Sequence, residues 1–133
     1  MYSLMMTGLS VGIDITEIAP IAWSITHYGE RFLNRIYTIP EQRYCRGRTR
    51  HFATLFAAKE AAAKALGTGL AYLSRTGVEF HDLQITADTT GRACLTLSGT
   101  AQARAATLGW TEWAVSLSAS RMYAVALVVA TYD

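Results

Sequence analysis

Charged residues are scarce in this chain, and the two signs nearly balance. Among its 133 residues, 12 Lys and Arg stand against 10 Asp and Glu, which is a formal net charge of +2. So small an excess supplies no overall field for attracting nucleic acid, and we expect no nucleic-acid partner. The arginines concentrate between positions 31 and 50, where they could form either a solvated face or a docking surface.

Cysteine and long apolar runs are also rare. The two cysteines, Cys45 and Cys94, lack the close spacing of metal ligands, so we expect reduced, buried thiols in an intracellular protein. The apolar stretch at 123–132 is far shorter than the roughly 20 residues that span a bilayer. The first ten residues have no basic region and too short an apolar run for a secretory leader. These absences predict a cytoplasmic chain with no membrane segment.

Apolar side chains are what the sequence has in quantity. Hydrophobic residues make up 51 % of the chain, which is typical of a globular protein rather than a disordered one. The length suits one domain spanning residues 1–133. The chain contains no internal repeat, linker or low-complexity segment that would divide it.

A strand is predicted at residues 9–16, where apolar residues alternate with small or polar ones, the pattern of a half-buried strand. Asp14 lies on the less apolar face, two residues from Gly12, which leaves room beside it. The apolar face consists of Leu9, Val11, Ile13 and Ile15.

Helices are predicted to follow this strand. Two helical segments cover 17–27 and 30–37, with Pro20 in the first turn of the first one. Thr38 and Glu41 have the spacing of a capping box at the start of a short helix. A long helix then covers about 50–66, with Gly67 placed to end it.

The second half of the sequence has mainly strand character. Strands are predicted at 78–88 and 92–99 around a "TTGR" turn, a helix at 100–109, and two further strands at 112–120 and 123–133. This order predicts an α+β fold with a largely antiparallel sheet packed against helices, one of them long and central.

The segment "FAAKEAAAKALGTG" at 56–69 carries the clearest functional signal. Glu60 and Lys64 are four residues apart and so share a helix face, on which Ala53 and Ala57 would leave space for a ligand. An exposed Glu–Lys pair worth only about 0.3–0.5 kcal/mol explains the same spacing. The spacing alone leaves both interpretations open.

Asp14 adds a second carboxylate to this candidate site. One or two carboxylates together with substrate phosphates commonly hold Mg²⁺. Lys64 and the backbone N–H groups of "GTG" are suited to taking further phosphate charge. We therefore expect Asp14 and Glu60 to meet in the fold, although they are far apart in the sequence.

Five segments follow one another in a specific order: "VGIDITEI", "RFLNRIYTIPEQRYC", "FAAKEAAAKALGTG", "LTLSGTAQARAATLGW" and "VSLSASRMYAVALVVA". Together they resemble the holo-acyl-carrier-protein synthases, which are small 4′-phosphopantetheinyl transferases, and the likeness covers nearly the whole chain. The resemblance implies the phosphopantetheinyl transferase fold. It also implies Mg²⁺-dependent transfer of the phosphopantetheine arm of coenzyme A to a serine of an apo acyl carrier protein, with release of 3′,5′-adenosine bisphosphate.

The resemblance also implies roles for particular residues. Asp14 and Glu60 match the metal ligands of the family, and Lys64 matches a lysine that contacts the coenzyme A phosphates and assists the leaving group. Gly67 and Gly69 would let the chain pass close to the cofactor. Glu60, directly or through a metal-held water, is the candidate base for the serine hydroxyl.

Partners follow from the same resemblance. Arg31 and Arg35 match arginines that dock the acidic carrier protein. The small members of the family are homotrimers with active sites between neighbouring subunits, and the apolar strand residues at the C-terminus are compatible with such an assembly. The residues leave open whether the carrier serves fatty-acid, polyketide or another synthesis.

Three positions depart from the family pattern. Leu55 stands where an arginine usually contacts phosphate, a contact that Arg48 or Arg50 would have to replace. Pro20 stands in place of a basic residue of the docking helix, and Ala119 in place of a histidine. These departures keep a second interpretation open, a weak or inactive relative that binds coenzyme A or a carrier protein without transfer.

Overall fold

Strands and helices follow one another in the order that the sequence predicts. The computed structural model describes residues 7–133; residues 1–6, part of the segment in which no secretory leader is expected, lie outside the described part. A single 3₁₀ turn at Phe80–Asp82 precedes the second strand. The elements are β1 (Gly8–Glu17), α1 (Ile18–Tyr28), α2 (Glu30–Ile36), α3 (Ile39–Cys45), α4 (Thr49–Ala65), β2 (Leu83–Ala87), β3 (Ala93–Leu97), α5 (Gly99–Leu108), β4 (Trp110–Ala119) and β5 (Tyr123–Tyr132).

The strands form two antiparallel sheets, in agreement with the antiparallel pairing that the sequence predicts. The larger has the order β1-β5-β4, and β2 and β3 form a separate hairpin. The predicted strand at 78–88 is shorter than expected, because Val78 instead forms a bridge with Leu70 and the chain then turns at 80–82. No helix within residues 7–133 has both the length and the apolar character needed to cross a membrane.

The long helix α4 is the centre of the packing, as the sequence predicts. It lies against β1 and β5 at very short range, since a Cβ on Gly12 would come within 1.9 Å of the Ala61 carbonyl oxygen. Small side chains on both surfaces permit this approach. The fully buried alanines of the helix are Ala53, Ala57, Ala58, Ala61, Ala62 and Ala63.

The apolar face of β1 lies outside this core, whereas a half-buried strand usually turns its apolar face toward the core. The small and polar face containing Gly12 and Asp14 packs toward α4, because only small residues fit there. The opposite face is 55–65 % exposed and consists of Leu9, Val11, Ile13 and Ile15. A contiguous apolar sheet surface is thereby left open to solvent in the single chain.

Several local signals in the sequence are confirmed. The Thr38 hydroxyl accepts from the Glu41 N–H and the Glu41 carboxylate accepts from the Thr38 N–H, which completes the capping box at α3. Gly67 has a φ of 76° just after α4, and Gly109 a φ of 77° just after α5. Both glycines thus end helices in the left-handed conformation that other residues adopt at a cost.

Candidate active site

An ion pair joins the first strand to the end of the long helix. The Lys64 ammonium lies 3.0 Å from Oδ1 of Asp14 and also donates to the Ile13 carbonyl at 3.1 Å. The Thr16 hydroxyl donates to the other carboxylate oxygen of Asp14 at 2.6 Å. Lys64 therefore pairs with the carboxylate on β1 and forms no salt bridge with Glu60, which argues against the simple exposed helix pair.

Glu60 lies on the same side of α4, one turn before Lys64. Its Oε1 accepts a hydrogen bond from the Tyr72 hydroxyl at 2.5 Å. Burial, this hydrogen bond, and the negative charges of Glu60 and Asp14 all raise the pKa of Tyr72 well above its usual value. Lys64, which pairs with Asp14, lies one helical turn after Glu60 on α4, so the two carboxylates are linked through one helix face.

Two expectations about this helix face are wrong. Ala53 and Ala57 are fully buried against the rest of the fold, so they do not provide the open space beside Glu60. The backbone N–H groups of the "GTG" turn are also not free for phosphate. They donate to the last carbonyls of α4, Gly67 to Lys64, and Thr68 and Gly69 to Ala63, because a helix end must satisfy those groups.

The glycines of this turn still allow a close approach to the backbone. A Cβ at Gly69, where φ is 68°, would meet no atom within 4 Å, and one at Gly67 would meet only the Arg104 guanidinium at 3.5 Å. The turn therefore presents bare backbone to the outside beside Lys64.

Arg31 and Arg35 lie together on α2, at the rim of an apolar cavity of about 440 Å³. Both side chains are exposed, and the cavity reaches Tyr72, the partner of Glu60. The remaining walls come from Tyr28, Phe32, Ile36, Phe56 and Phe80. The predicted docking arginines and the predicted metal glutamate are thus close to one surface depression.

The departures from the family pattern are also visible. Leu55 is fully buried in the core. Arg48, one of the two residues considered as replacements for the missing arginine, donates to the Cys45 carbonyl at 2.9 Å and to the Tyr44 carbonyl at 2.8 Å. It caps the end of α3 in this way, which leaves Arg50 as the other candidate.

The side-chain atoms that could hold a metal ion at this site are oxygens, which suit a hard cation. Asp14 and Glu60 supply carboxylates, and Thr16 and Tyr72 supply hydroxyls next to them. In the described part of the chain, no group of three or more His, Cys, Asp or Glu comes together. Two carboxylates fit an ion such as Mg²⁺, which keeps positions for water and substrate phosphate, better than an ion that needs a complete protein cage.

The profile of the 4′-phosphopantetheinyl transferase superfamily matches residues 10–128. The chain belongs to this superfamily. The holo-[acyl-carrier-protein] synthase of Solidesulfovibrio magneticus is 50 % identical over 129 residues, covering 94 % of this chain and 98 % of that protein. The synthase of Koribacter versatilis is 44 % identical over 124 residues, covering 91 % of this chain and 96 % of that protein.

A solved structure supports the same assignment. The crystal structure of Helicobacter pylori holo-[acyl-carrier-protein] synthase in complex with coenzyme A matches with a TM-score of 0.80 at 28 % identity, covering 90 % of this chain and 98 % of that one. The α+β phosphopantetheinyl transferase fold predicted from the sequence is thus confirmed.

One feature of this transferase that the sequence did not predict is a buried ion pair formed by Lys59, the residue before Glu60. The ammonium of Lys59 lies 2.9 Å from Oε1 of Glu41, and both side chains have no exposed surface. Lys59 also donates to the carbonyls of Phe80 at 2.9 Å and Leu83 at 2.6 Å. Three acceptors around one nitrogen require three N–H donors, so the geometry is that of an ammonium ion.

The sequence contained a signal for this pair. Lys59 falls four residues after Leu55 and seven after Phe52, and so lies within the apolar stripe of α4. A lysine in such a stripe must find a buried partner, and Glu41 is that partner after completing its capping box. Burial lowers the pKa of Lys59 despite the opposing charge of Glu41.

Tyr72 also went unpredicted. It follows the glycine turn in a segment without strong periodicity, and nothing near it in the sequence points to Glu60. Only the return of the chain through the Leu70–Val78 bridge brings it back over α4.

Proposed function

We propose that this chain is a holo-[acyl-carrier-protein] synthase that transfers the 4′-phosphopantetheine arm of coenzyme A to a serine of an apo acyl carrier protein. The observation that carries the proposal is the junction of β1 and α4, where Asp14 and Lys64 meet and Glu60 lies one turn away. Superfamily membership and the synthases of similar sequence supply the reaction class.

The reaction is a displacement at phosphorus. The serine oxygen of the carrier forms a new bond to the β-phosphorus of the coenzyme A diphosphate, and the bond from that phosphorus to the bridging oxygen breaks. The electron pair leaves with 3′,5′-adenosine bisphosphate, and the serine proton must be taken up. Such chemistry depends mainly on positioning and on neutralising charge.

The residues of the site have matching roles. Glu60, whose Oε1 is occupied by Tyr72, can take the serine proton at its other oxygen, directly or through a water. Lys64 lies at the surface and exchanges its contact with Asp14 for the phosphate oxygens of the cofactor. Gly67 and Gly69 let the cofactor pass next to the backbone. Mg²⁺ held by Asp14 and Glu60 would supply charge neutralisation at the diphosphate.

Arg31 and Arg35 are proposed as the docking residues for the carrier. They are four residues apart on α2, so they point to one side, and both border the cavity next to Tyr72. Two cations at the rim attract an acidic partner and set its position relative to Glu60, while rim charges mainly raise the association rate.

A homotrimer is the assembly that we propose, with the exposed face of the larger sheet as its interface. The apolar β1 side chains are joined on that face by Val125, Leu127 and Val129 of β5, through the pairing of Ile13 with Leu127 and Ile15 with Val125. An exposed apolar surface of this kind favours association.

Mass spectrometry of the carrier tests the proposed reaction directly. The purified protein, coenzyme A, Mg²⁺ and an apo acyl carrier protein should yield a carrier heavier by one phosphopantetheine group. Asp14→Asn and Glu60→Gln should each abolish the gain, whereas Glu112→Gln, an exposed glutamate on β4, should leave it unchanged. Full transfer by both active-site variants would refute the assignment of the site.

Coenzyme A binding without transfer is the second candidate function. Two observations support it. A buried leucine, Leu55, stands at the position of the family's phosphate-binding arginine, and Arg48 is engaged in capping α3 instead of being free to bind phosphate. Calorimetric binding of coenzyme A and of carrier, together with no mass gain on several carriers, would favour this alternative.

We further propose that residues 1–133 act as one transferase domain in the cytoplasm. Within the described residues, α4 contacts β1, β2, β4 and β5, which ties the two sheets to one helix. Cys45 is buried as predicted, whereas Cys94 at the start of the β2–β3 hairpin's second strand is only partly buried. Both are free cysteines, which suit a reducing compartment.

A further inference from the structure

Tyr72 is fixed at both ends of its side chain. Its ring stacks on Phe80 with 5.2 Å between the ring centroids and an angle of 15° between the planes. Its hydroxyl donates to Oε1 of Glu60 at 2.5 Å. The backbone around it is held by the hydrogen bond from the Ala71 N–H to the Val78 carbonyl at 2.9 Å. Although the residue is 46 % exposed, the ring stacking and the hydrogen bond together hold its hydroxyl on Glu60.

This contact decides how the Glu60 carboxylate can turn. The terminal torsion of a glutamate is broad, so an unsupported carboxylate rotates easily. Among the described residues, Tyr72 is the side chain that hydrogen-bonds Glu60. With Oε1 held by the phenol, Oε2 is the oxygen left for a cation or a proton, and its direction is set.

The same ring separates Glu60 from the apolar cavity. Tyr72 lines that cavity together with Phe56 and Phe80, so the wall of the cavity next to Glu60 is aromatic. Removing only the hydroxyl leaves this wall and the ring stacking intact. A Tyr-to-Phe change is therefore a clean test of the hydrogen bond alone.

We propose that Tyr72 is a positioning residue of the transferase, whose hydroxyl holds Oε1 of Glu60 so that Oε2 faces the divalent cation and the diphosphate. The inference rests on the proposed function, since it assumes that Glu60 binds the cation. A side chain that hydrogen-bonds a metal-binding carboxylate orients that carboxylate, and its loss typically lowers the affinity for the metal.

Cation binding is the first measurement. Mn²⁺ is titrated into the wild-type protein and into Tyr72→Phe with saturating coenzyme A, and free Mn²⁺ is followed by electron paramagnetic resonance. A titration of coenzyme A without protein corrects for the Mn²⁺ that free coenzyme A binds. The Kd for Mn²⁺ should rise on the order of tenfold in Tyr72→Phe. Tyr44→Phe is the matched control. Tyr44 contacts His51, and His51 lies roughly 13 Å from Glu60 along the axis of α4. Tyr44→Phe should therefore bind Mn²⁺ with the Kd of the wild type.

Kinetics supplies the second measurement. In Tyr72→Phe, the Mg²⁺ concentration for half-maximal rate should rise by the same factor as the Kd, while the KM for the carrier protein stays unchanged. A merely structural role would lower the amount of folded protein but leave the Kd for Mn²⁺ and the half-maximal Mg²⁺ concentration unchanged. If both of these values in Tyr72→Phe equal those of the wild type, the proposal is overturned.

Glu60→Gln separates this inference from the proposed function. If Glu60→Gln abolishes transfer and Tyr72→Phe binds Mn²⁺ normally, the function stands and the role of Tyr72 is refuted. If Glu60→Gln transfers the arm as the wild type does, the role of Glu60 is refuted, and that of Tyr72 with it.

Discussion

Replacement of Lys59 by methionine should be among the most destabilising single changes in this protein. Methionine fits the volume of the lysine stem but offers no donor. Glu41 would keep a buried charge without its cation, and the carbonyls of Phe80 and Leu83 would each lose a hydrogen bond. Removing one partner of a buried ion pair typically costs about 3–5 kcal/mol.

A loss of about 4 kcal/mol is a large share of the roughly 5–15 kcal/mol that stabilises a typical domain. For a chain of this length it corresponds to a fall in Tm of roughly 15 °C. Urea denaturation followed by tryptophan fluorescence measures the free energy of unfolding. Wild type and variants must be compared at one protein concentration, because association also contributes to stability.

Two further variants make this test specific. Lys64→Met, a change of the same kind on the same helix, should cost less than about 1 kcal/mol because that ion pair is partly exposed. Adding Glu41→Gln to Lys59→Met should recover part of the loss, since the uncompensated charge disappears while an amide oxygen remains for one of the N–H groups of Thr38 and Ile85. The reasoning is refuted if Lys59→Met costs under about 1 kcal/mol, or if the double variant loses the full sum of the two single changes.

Three other predictions concern the interface, the helix packing and pH. Val11→Asp on the open sheet face should convert the proposed trimer to monomers in sedimentation velocity, and a persistent trimer would contradict that interface. Gly12→Ala should cost about 1–3 kcal/mol in urea denaturation, because its Cβ would overlap the Ala61 carbonyl; an unchanged midpoint would contradict this packing. Burial and nearby arginines lower the pKa of His51 from 6.5. The unfolded chain thus binds more protons between that lowered pKa and 6.5, so stability should rise with pH across this window, and His51→Gln should flatten the rise. An equal slope in His51→Gln would exclude this contribution.

Local patterns in the sequence were sufficient for most of the secondary structure. The capping box at Thr38 and Glu41, the glycine stops at Gly67 and Gly109, and the turn at 88–92 are all decided by nearest neighbours. Such signals depend on the φ values and hydrogen bonds of a few adjacent residues, so they act the same way in any fold. The prediction of a strand over 78–88 is wrong for residues 78–82, because there long-range contacts to Leu70 and Lys59 determine the path of the backbone.

The sequence by itself determined the elements, the superfamily and the identity of Asp14, Glu60 and Lys64 as candidate site residues, because periodicity, turn chemistry and segment order are properties of the linear chain. Only the tertiary structure decided that Lys64 pairs with Asp14, that Tyr72 holds Glu60, and that the apolar face of β1 is open. Each of these facts depends on the distance between residues that are remote in the chain. The Asp14–Lys64 pair depends on how closely α4, with its alanine surface, can approach the sheet at Gly12, and the Tyr72–Glu60 contact on the Leu70–Val78 bridge.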